Sequence, residues 1–209
     1  TGAAIAPRIA AQFECPVAID TDVNAAAMAE HRWGAGVGAT TLVYVTIGTG
    51  LGGGVLVNGM PMHGRLHPEM GHIYLRRAAG DDFAGACPFH ADCAEGLLSG
   101  PALAARFGMA AQHIALGDAR WELPSADLAQ FLALLIHGFA PNRLLIGGGV
   151  GMGAGGMLAR AKMLLPSLLA GYYPDLDDSA IDALITQPLL GDQAGPLGAV
   201  AVGLAAIGR

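Results

Sequence analysis

Residues 41–59 read TLVYVTIGTGLGGGVLVNG. Thr41 to Ile47 is β-branched and aromatic throughout, the composition of a strand. It runs directly into GTGLGGG (48–54), and Val55 to Val57 begins a second strand. Asn58 and Gly59 both tolerate positive φ and mark a hairpin turn. Glycines immediately after a strand let backbone N–H groups approach an anion closely, and Thr49 adds a hydroxyl donor. No Gly-Lys-Ser/Thr follows, so the turn is not a Walker A loop. A strand follows where a helix should open, so it is not a dinucleotide fingerprint either. A tight glycine hairpin is the plainer role for the turn taken alone.

Downstream, residues 67–93 hold HPEMGH, a spacer, and CPFHADC. Cys87, His90 and Cys93 are each separated by two residues, a spacing that folds soft ligands onto one tetrahedral metal ion. The expected ion is Zn²⁺, with His72 or His67 as fourth ligand. The competing role is a reduced loop in which both cysteines pack as small hydrophobes. Glu69 and Glu95 flank this segment, and a fixed loop would place their carboxylates precisely enough for recognition. The isolated histidines, His63 and His67 among them, read as structural or solvated residues.

Upstream, Val17 to Ile19 reads as a short buried strand ending in Asp20, followed by a helix from DTDVNAAAMAEHRWG. Asp22 or Asn24 can cap that helix. A carboxylate at such a junction can also take a proton from a substrate hydroxyl, and Asp20 and Asp22 compete for that role on spacing. Residues 3–13, Glu95–Phe107, Ser125–Phe139 (capped by Ser125) and the stretch up to about Leu169 read as further helices. Arg143–Ile146 and Ala183–Thr186 read as strands, and AGPLGAVAVGLAAIG as a closing apolar helix. The alternation is α/β. Gly147, Gly148 and Gly149 lie at a strand-to-helix junction, where open α/β sheets bind ligands.

Composition narrows the function classes. The chain of 209 residues is 53% hydrophobic and 13% charged, enough to bury a sizeable core. A net charge of −6 and the absence of any Lys/Arg run argue against nucleic-acid binding. No apolar run suits a membrane span, and three cysteines fit a reducing, cytoplasmic setting.

The run IGTGLGGGVLVNGMPMHGRLHPEMGH (47–72) resembles the signature of the ROK family (repressor, open reading frame, kinase). So do TDVNAAAMAE (21–30), CPFHADCAEGLLSGPALAARFG (87–108), IGGGV (146–150) and AGPLGAVAVGLA (194–205). Within that family the HPEMGH/CPFHADC pair is closest to the zinc-containing bacterial fructokinases. The resemblance implies an actin-like ATPase (ribonuclease H-like) fold of two α/β domains, of which this chain is mainly the second. Residues 1–20 would be the tail of the first domain, 21–193 the sugar- and zinc-binding domain, and 194–209 a helix packing on the first. It implies ATP with Mg²⁺ and a hexose as ligands, and a homodimer. Asp22 would be the general base, and Glu69, His72 and Glu95 would hold the sugar. His72, Cys87, His90 and Cys93 would bind structural zinc. Gly48, Thr49 and Gly50 would contact phosphates, and Gly147 to Gly149 the adenosine. The family's first-domain D-x-G-G-T-K loop is not found here, and about 90 residues of a two-domain member are unaccounted for. Weak or no kinase activity is therefore expected of the 209 residues themselves. A sugar-sensing repressor or a non-catalytic sugar-binding remnant is the alternative.

Overall fold

The computed structural model describes residues 4–153 and 155–208. The first residue of the 3–13 helix, and the outermost residues of the 1–20 and 194–209 segments, lie outside them. In chain order the helices are α1 (Ile5–Phe13), α2 (Asp22–Trp33), α3 (Ala94–Leu98), α4 (Gly100–Phe107), α5 (Glu122–Phe139), α6 (Gly148–Gly153), α7 (Met157–Leu169), α8 (Asp178–Leu184) and α9 (Ala194–Ala206). The strands are β1 (Thr41–Ile47), β2 (Leu51–Val57), β3 (Met60–Pro61), β4 (Arg143–Gly147) and β5 (Ile185–Thr186).

One mixed sheet has the order β3-β2-β1-β4-β5. β1 pairs antiparallel with β2 and parallel with β4, and β4 pairs parallel with β5. Helices cover both faces. Val43, Val45 and Ile47 of β1 join one core with Leu97, Trp121, Phe131, Leu132 and Leu165, from the side of α3, α5 and α7. Leu42 and Tyr44 point the other way, toward Ala26 and Ala27 of α2. Burial on both faces explains why β1 is apolar nearly throughout instead of alternating.

β2 begins at Leu51, earlier than the expected Val55, and thus contains Gly52, Gly53 and Gly54. The reason is close packing. A Cβ on Gly54 would lie 2.6 Å from Asn24 Oδ1, and one on Gly53 2.3 Å from Met70 Cε. These glycines trade strand propensity for close approach of α2 on one face and of the turn at Met70 on the other.

Other departures have equally local causes. The expected helix over Glu95–Phe107 is two helices, because Ser99 is extended and caps α4, with Pro101 in the first turn. α5 starts before Ser125, which is buried inside it and is not its cap. Thr21, neither Asp22 nor Asn24, caps α2, accepting from Asn24 N. Residues 17–19 pair with no strand, and Ile19 is 68% exposed.

α9 lies along α2, where Gly198 brings its backbone against Ala25. Glu30 of α2 is fully buried, and its carboxylate accepts from the N–H groups of Ala35, Leu189 and Leu190. That carboxylate pins the helix to the chain entering α9.

Beneath the metal-ligand loop sits a buried ionic network. Arg106 of α4 donates to Asp81 and to Asp127 of α5 at 3.3 and 3.1 Å, and stacks 4.8 Å over Phe83. Arg77 spans Asp81, Asp92 and the carbonyl of Phe83. Asp81 has both guanidinium groups, whose hydrogen bonds and charge outweigh its burial and hold its carboxyl below the usual range. Asp127 shares only Arg106, and burial pushes its carboxyl up to about 6. The native state therefore binds a proton between pH 4 and 6 that the unfolded chain has released. The stability this supplies is present below that window and lost as pH rises through it, a change on the order of 2–3 kcal/mol. Asp127→Asn is expected to gain stability relative to the parent as pH rises from 4 to 7, measured as urea midpoints across the range. A pH-independent difference between the two would contradict this.

Candidate functional site

The two glycine clusters meet at one edge of the sheet. Thr46 at the end of β1 is in register with Gly147 at the end of β4. Gly148 has φ +83°, and a Cβ there would sit 2.3 Å from the carbonyl oxygen of Ile47, so only glycine fits. Gly149 faces open space. Tyr44, behind Gly147, has its phenol pushed above its usual range by burial and by the carboxylates of Glu30 and Asp22, so it stays protonated. Beside this junction a cavity of ≈ 810 Å³ opens between α7, α8 and β5, lined in part by Gly151, Met157, Lys162, Asp178 and Thr186.

The Gly48-Thr49-Gly50 turn is closed by Gly48 N–H donating to Gly50 O at 2.9 Å. It is also held from the helical side. Gly100 N–H donates to Gly48 O at 2.7 Å, and Leu51 N–H donates to Glu95 Oε2 at 3.1 Å. Glu95, in the first turn of α3, thus touches the turn expected to meet phosphate.

Across the sheet edge, α2 begins at Asp22, an exposed residue whose Oδ1 accepts from Val23 N–H. Asp20 competes with it in sequence but is placed differently. Its side chain is 10% exposed, and Oδ1 accepts from Thr21 N–H and Asn24 Nδ2 at 2.7 Å each and faces His63 Nε2 at 3.2 Å. Asp20 is committed to holding the helix head, whereas Asp22 projects from it.

Glu69 is 62% exposed at its side chain, and Oε1 lies 2.7 Å from His67 Nε2. His67 is therefore engaged with Glu69 and lies outside the metal cluster. That cluster is His72, Cys87, His90 and Cys93, whose ligand atoms all lie within 4.8 Å of one another. His72 Nδ1 is 3.6 Å from Cys93 Sγ and 3.8 Å from Cys87 Sγ, and His90 Nδ1 is 4.0 Å from Cys87 Sγ. Tetrahedral zinc with sulfur and imidazole ligands sets S···N edges of roughly 3.5 Å. The four residues fit that ion with small contraction. Burial pushes the Cys93 thiol up, with Cys87 nearby adding to the shift, so an ion is what would stabilise a thiolate there. With Nδ1 turned to the sulfurs, the Nε2 edge of His72 points away from the cluster.

The sequence builds this loop in steps. Cys87 and Ala91 exchange two backbone hydrogen bonds, with Ala91 at φ +52°. Ala94 N–H donates to Ile73 O, tying the end of the loop to the strand-like segment after His72. Gly96 lies against the loop, where a Cβ would meet Ala91 O at 1.8 Å. Gly96→Ala is expected to push Ala91 outward and lower zinc affinity by about 10- to 100-fold, read by competition with a chromogenic chelator. Unchanged affinity would mean that the loop yields without disturbing its ligands.

Gly147 and Glu95 are joined to this edge through the β1–β4 register and the Leu51 N–H bond. His63 and His67, read from sequence as isolated, are each paired with a carboxylate, Asp20 and Glu69 respectively. Tyr44 lies behind Gly147, 103 residues away in sequence, and no local signal marked it. Among the described residues no helix is long and apolar enough to cross a membrane.

Residues 2–205 match the ROK family. A fructokinase from Zymomonas mobilis subsp. mobilis is 47% identical over 197 residues, covering 93% of this chain and 64% of that protein. The chain thus spans just under two thirds of that relative's length. A ROK hexokinase from Thermus thermophilus superposes with a TM-score of 0.77 at 27% identity, covering 98% of this chain and 71% of that one. A Streptomyces griseus ROK glucokinase, solved with glucose and AMPPNP, gives 0.68 at 27% identity, covering 93% of this chain and 70% of that one. The α/β architecture is that of the actin-like ATPases, and the chain belongs to the ROK family.

Proposed function

We propose that this chain forms the sugar- and zinc-binding part of an ATP-dependent hexose kinase, with fructose converted to fructose 6-phosphate as the favoured reaction. The observation that carries it is the joining of a sugar-type carboxylate to a phosphate-type turn: Glu95 Oε2 accepts from Leu51 N–H at the end of Gly48-Thr49-Gly50. A hydroxyl held by Glu95 would lie next to a phosphate held by that turn.

In this reading Asp22 takes the proton from the sugar's terminal hydroxyl as that oxygen attacks the γ-phosphoryl group, and ADP departs. Glu69, His72 through Nε2, and Glu95 hold the remaining hydroxyls. Backbone N–H groups of Gly48 to Gly50 face the phosphates, and Gly147 to Gly149 offer bare backbone to the adenosine beside the 810 Å³ cavity. Mg²⁺ bound with ATP would supply charge neutralisation at the phosphates. Zinc, with four protein ligands and no open position, would supply shape to the sugar pocket.

The exposed Asp22 favours a kinase over a sugar sensor, which needs the sugar ligands but no free base. We further infer that the apolar groove of ≈ 590 Å³ between residues 16–22 and α9, continuous with exposed Ile19, receives a first domain. Zinc analysis of this chain joined to calorimetric titration with fructose, mannose and glucose tests the reading. About one zinc per chain and preferential fructose binding are expected. Tighter binding of glucose would reassign the substrate, and the absence of any hexose binding would remove the proposed sugar site.

A further inference from the structure

The loop between β3 and the turn at Met70–His72 carries Glu69 on an exposed stretch, since residues 63–66 are all exposed. Few contacts fix such a segment. Gly64 N–H donates to Leu66 O within the loop itself, and β3 pairs with β2 over only Met60 and Pro61. The loop's ends are fixed by Met62 N–H donating to Val55 O and by buried Met70, and within the exposed stretch the side-chain link to the rest of the site is His63. Its Nε2 lies 3.2 Å from Asp20 Oδ1 and 3.4 Å from Asn24 Nδ2, spanning 43 and 39 residues of sequence.

Asp20 is the acceptor, and Asn24 fixes it in place. Asn24 is 1% exposed and rests on Gly54 of β2. Its Nδ2 also donates to Asp20 Oδ1, and its Oδ1 has no hydrogen-bond partner among the described residues. Asp20 is fixed by Thr21 N–H as well. A carboxylate already receiving two N–H groups accepts a third from an imidazole Nε2–H, a charge-assisted bond stronger than a neutral one. One end of this bridge is two residues from Asp22 and the other is six residues from Glu69.

The geometry points to His63 as a positioning residue for the acceptor site. Through Asp20, which Asn24 Nδ2 also holds, it sets the span between Asp22, at the head of α2, and Glu69, on the loop. This rests on the kinase reading insofar as Asp22 and Glu69 grip one sugar. Displacements of about 1 Å between reacting groups cost on the order of 10²-fold, so a side-chain tether within an exposed loop matters.

The test uses this 209-residue chain loaded with zinc, as parent, His63→Ala and His63→Gln. Gln places a carboxamide nitrogen near the position of Nε2 and restores a donor to Asp20. Long-range ¹⁵N–¹H imidazole spectra of the parent should show His63 as the Nε2–H tautomer. Amide relaxation should show residues 62–69 loosened in His63→Ala and restored in His63→Gln, with zinc content unchanged in both. Fructose affinity should fall about tenfold in His63→Ala and recover most of that in His63→Gln, the effect of one hydrogen bond to a charged group. The inference is overturned if His63→Ala leaves the loop as ordered as the parent, or if His63→Gln restores nothing. If the parent binds no hexose, the kinase reading fails, and the relaxation data alone decide the tether.

Discussion

Replacing Asp22 with Asn is expected to lower kcat for fructose phosphorylation by about 10²- to 10⁴-fold, with a much smaller change in fructose affinity. The measurement is ADP release by a form extended at its N-terminus to the length of the fructokinase relatives. The substitution is conservative where structure is concerned. Asp22 is exposed, its Oδ1 accepts from Val23 N–H, and an Asn Oδ1 accepts the same bond. The cap of α2 is Thr21, so the helix keeps its start. What Asn cannot do is accept a proton from an attacking hydroxyl. Asp20→Asn serves as the contrast. Its carboxylate is committed to Thr21, Asn24 and His63, so that change should act on affinity and loop order before it acts on kcat. Activity within a few fold of the parent in Asp22→Asn, together with a collapse in Asp20→Asn, would transfer the role of base from one to the other.

Cys87→Ser is expected to reduce bound zinc from about one per chain to a small fraction, and chelation of the parent to lower Tm by roughly 5–15 °C. Serine is a poor zinc ligand and keeps nearly the volume of cysteine, so the loss reports on the metal. The rest of the loop's scaffold is mostly backbone hydrogen bonds: the two Cys87–Ala91 bonds, Ala86 N–H to Gly96 O and Ala94 N–H to Ile73 O, with Arg77 reaching Asp92. The effect should stay local, because β1, β4, α5 and α7 share a core that involves none of the four ligands. Far-ultraviolet circular dichroism should therefore change little while zinc content and fructose binding fall together. Full zinc retention in Cys87→Ser would mean that the ion is held by other residues or that the loop holds none.

How far the sequence revealed this molecule depended on the range of the interaction. β1, the Asn58-Gly59 turn, α2 and the closing helix follow from periodicity and local turn chemistry, and the structure has them all. The convergence of His72, Cys87, His90 and Cys93 was legible because three of them sit at fixed short spacing, with the fourth expected to be His72 or His67. The structure separates those two by where their rings are spent, His72 on the sulfurs and His67 on Glu69. The break at Ser99 had its signal in plain view, a Ser-Gly-Pro run, and was masked by the helical residues on either side. Gly52 to Gly54 hid the first half of β2, since their reason lies in Asn24 and Met70. The bridge from His63 to Asp20 was illegible for the same reason, because nothing local distinguishes a histidine that meets a carboxylate 43 residues away.

The bond from Leu51 N–H to Glu95 has a thermodynamic consequence. In the proposed kinase Glu95 would stand between hexose and nucleotide, and Gly50 leaves no room for slack, since a Cβ there would lie 2.8 Å from Oε2. A hexose that fixes the Glu95 carboxylate also fixes the amide at the end of the 48–50 turn, before any nucleotide arrives. The nucleotide then binds a turn whose ordering has already been met. Linkage makes the effect reciprocal: whatever factor sugar adds to nucleotide affinity, nucleotide adds to sugar affinity. In the proposed kinase the ternary complex would thus be favoured over either binary one.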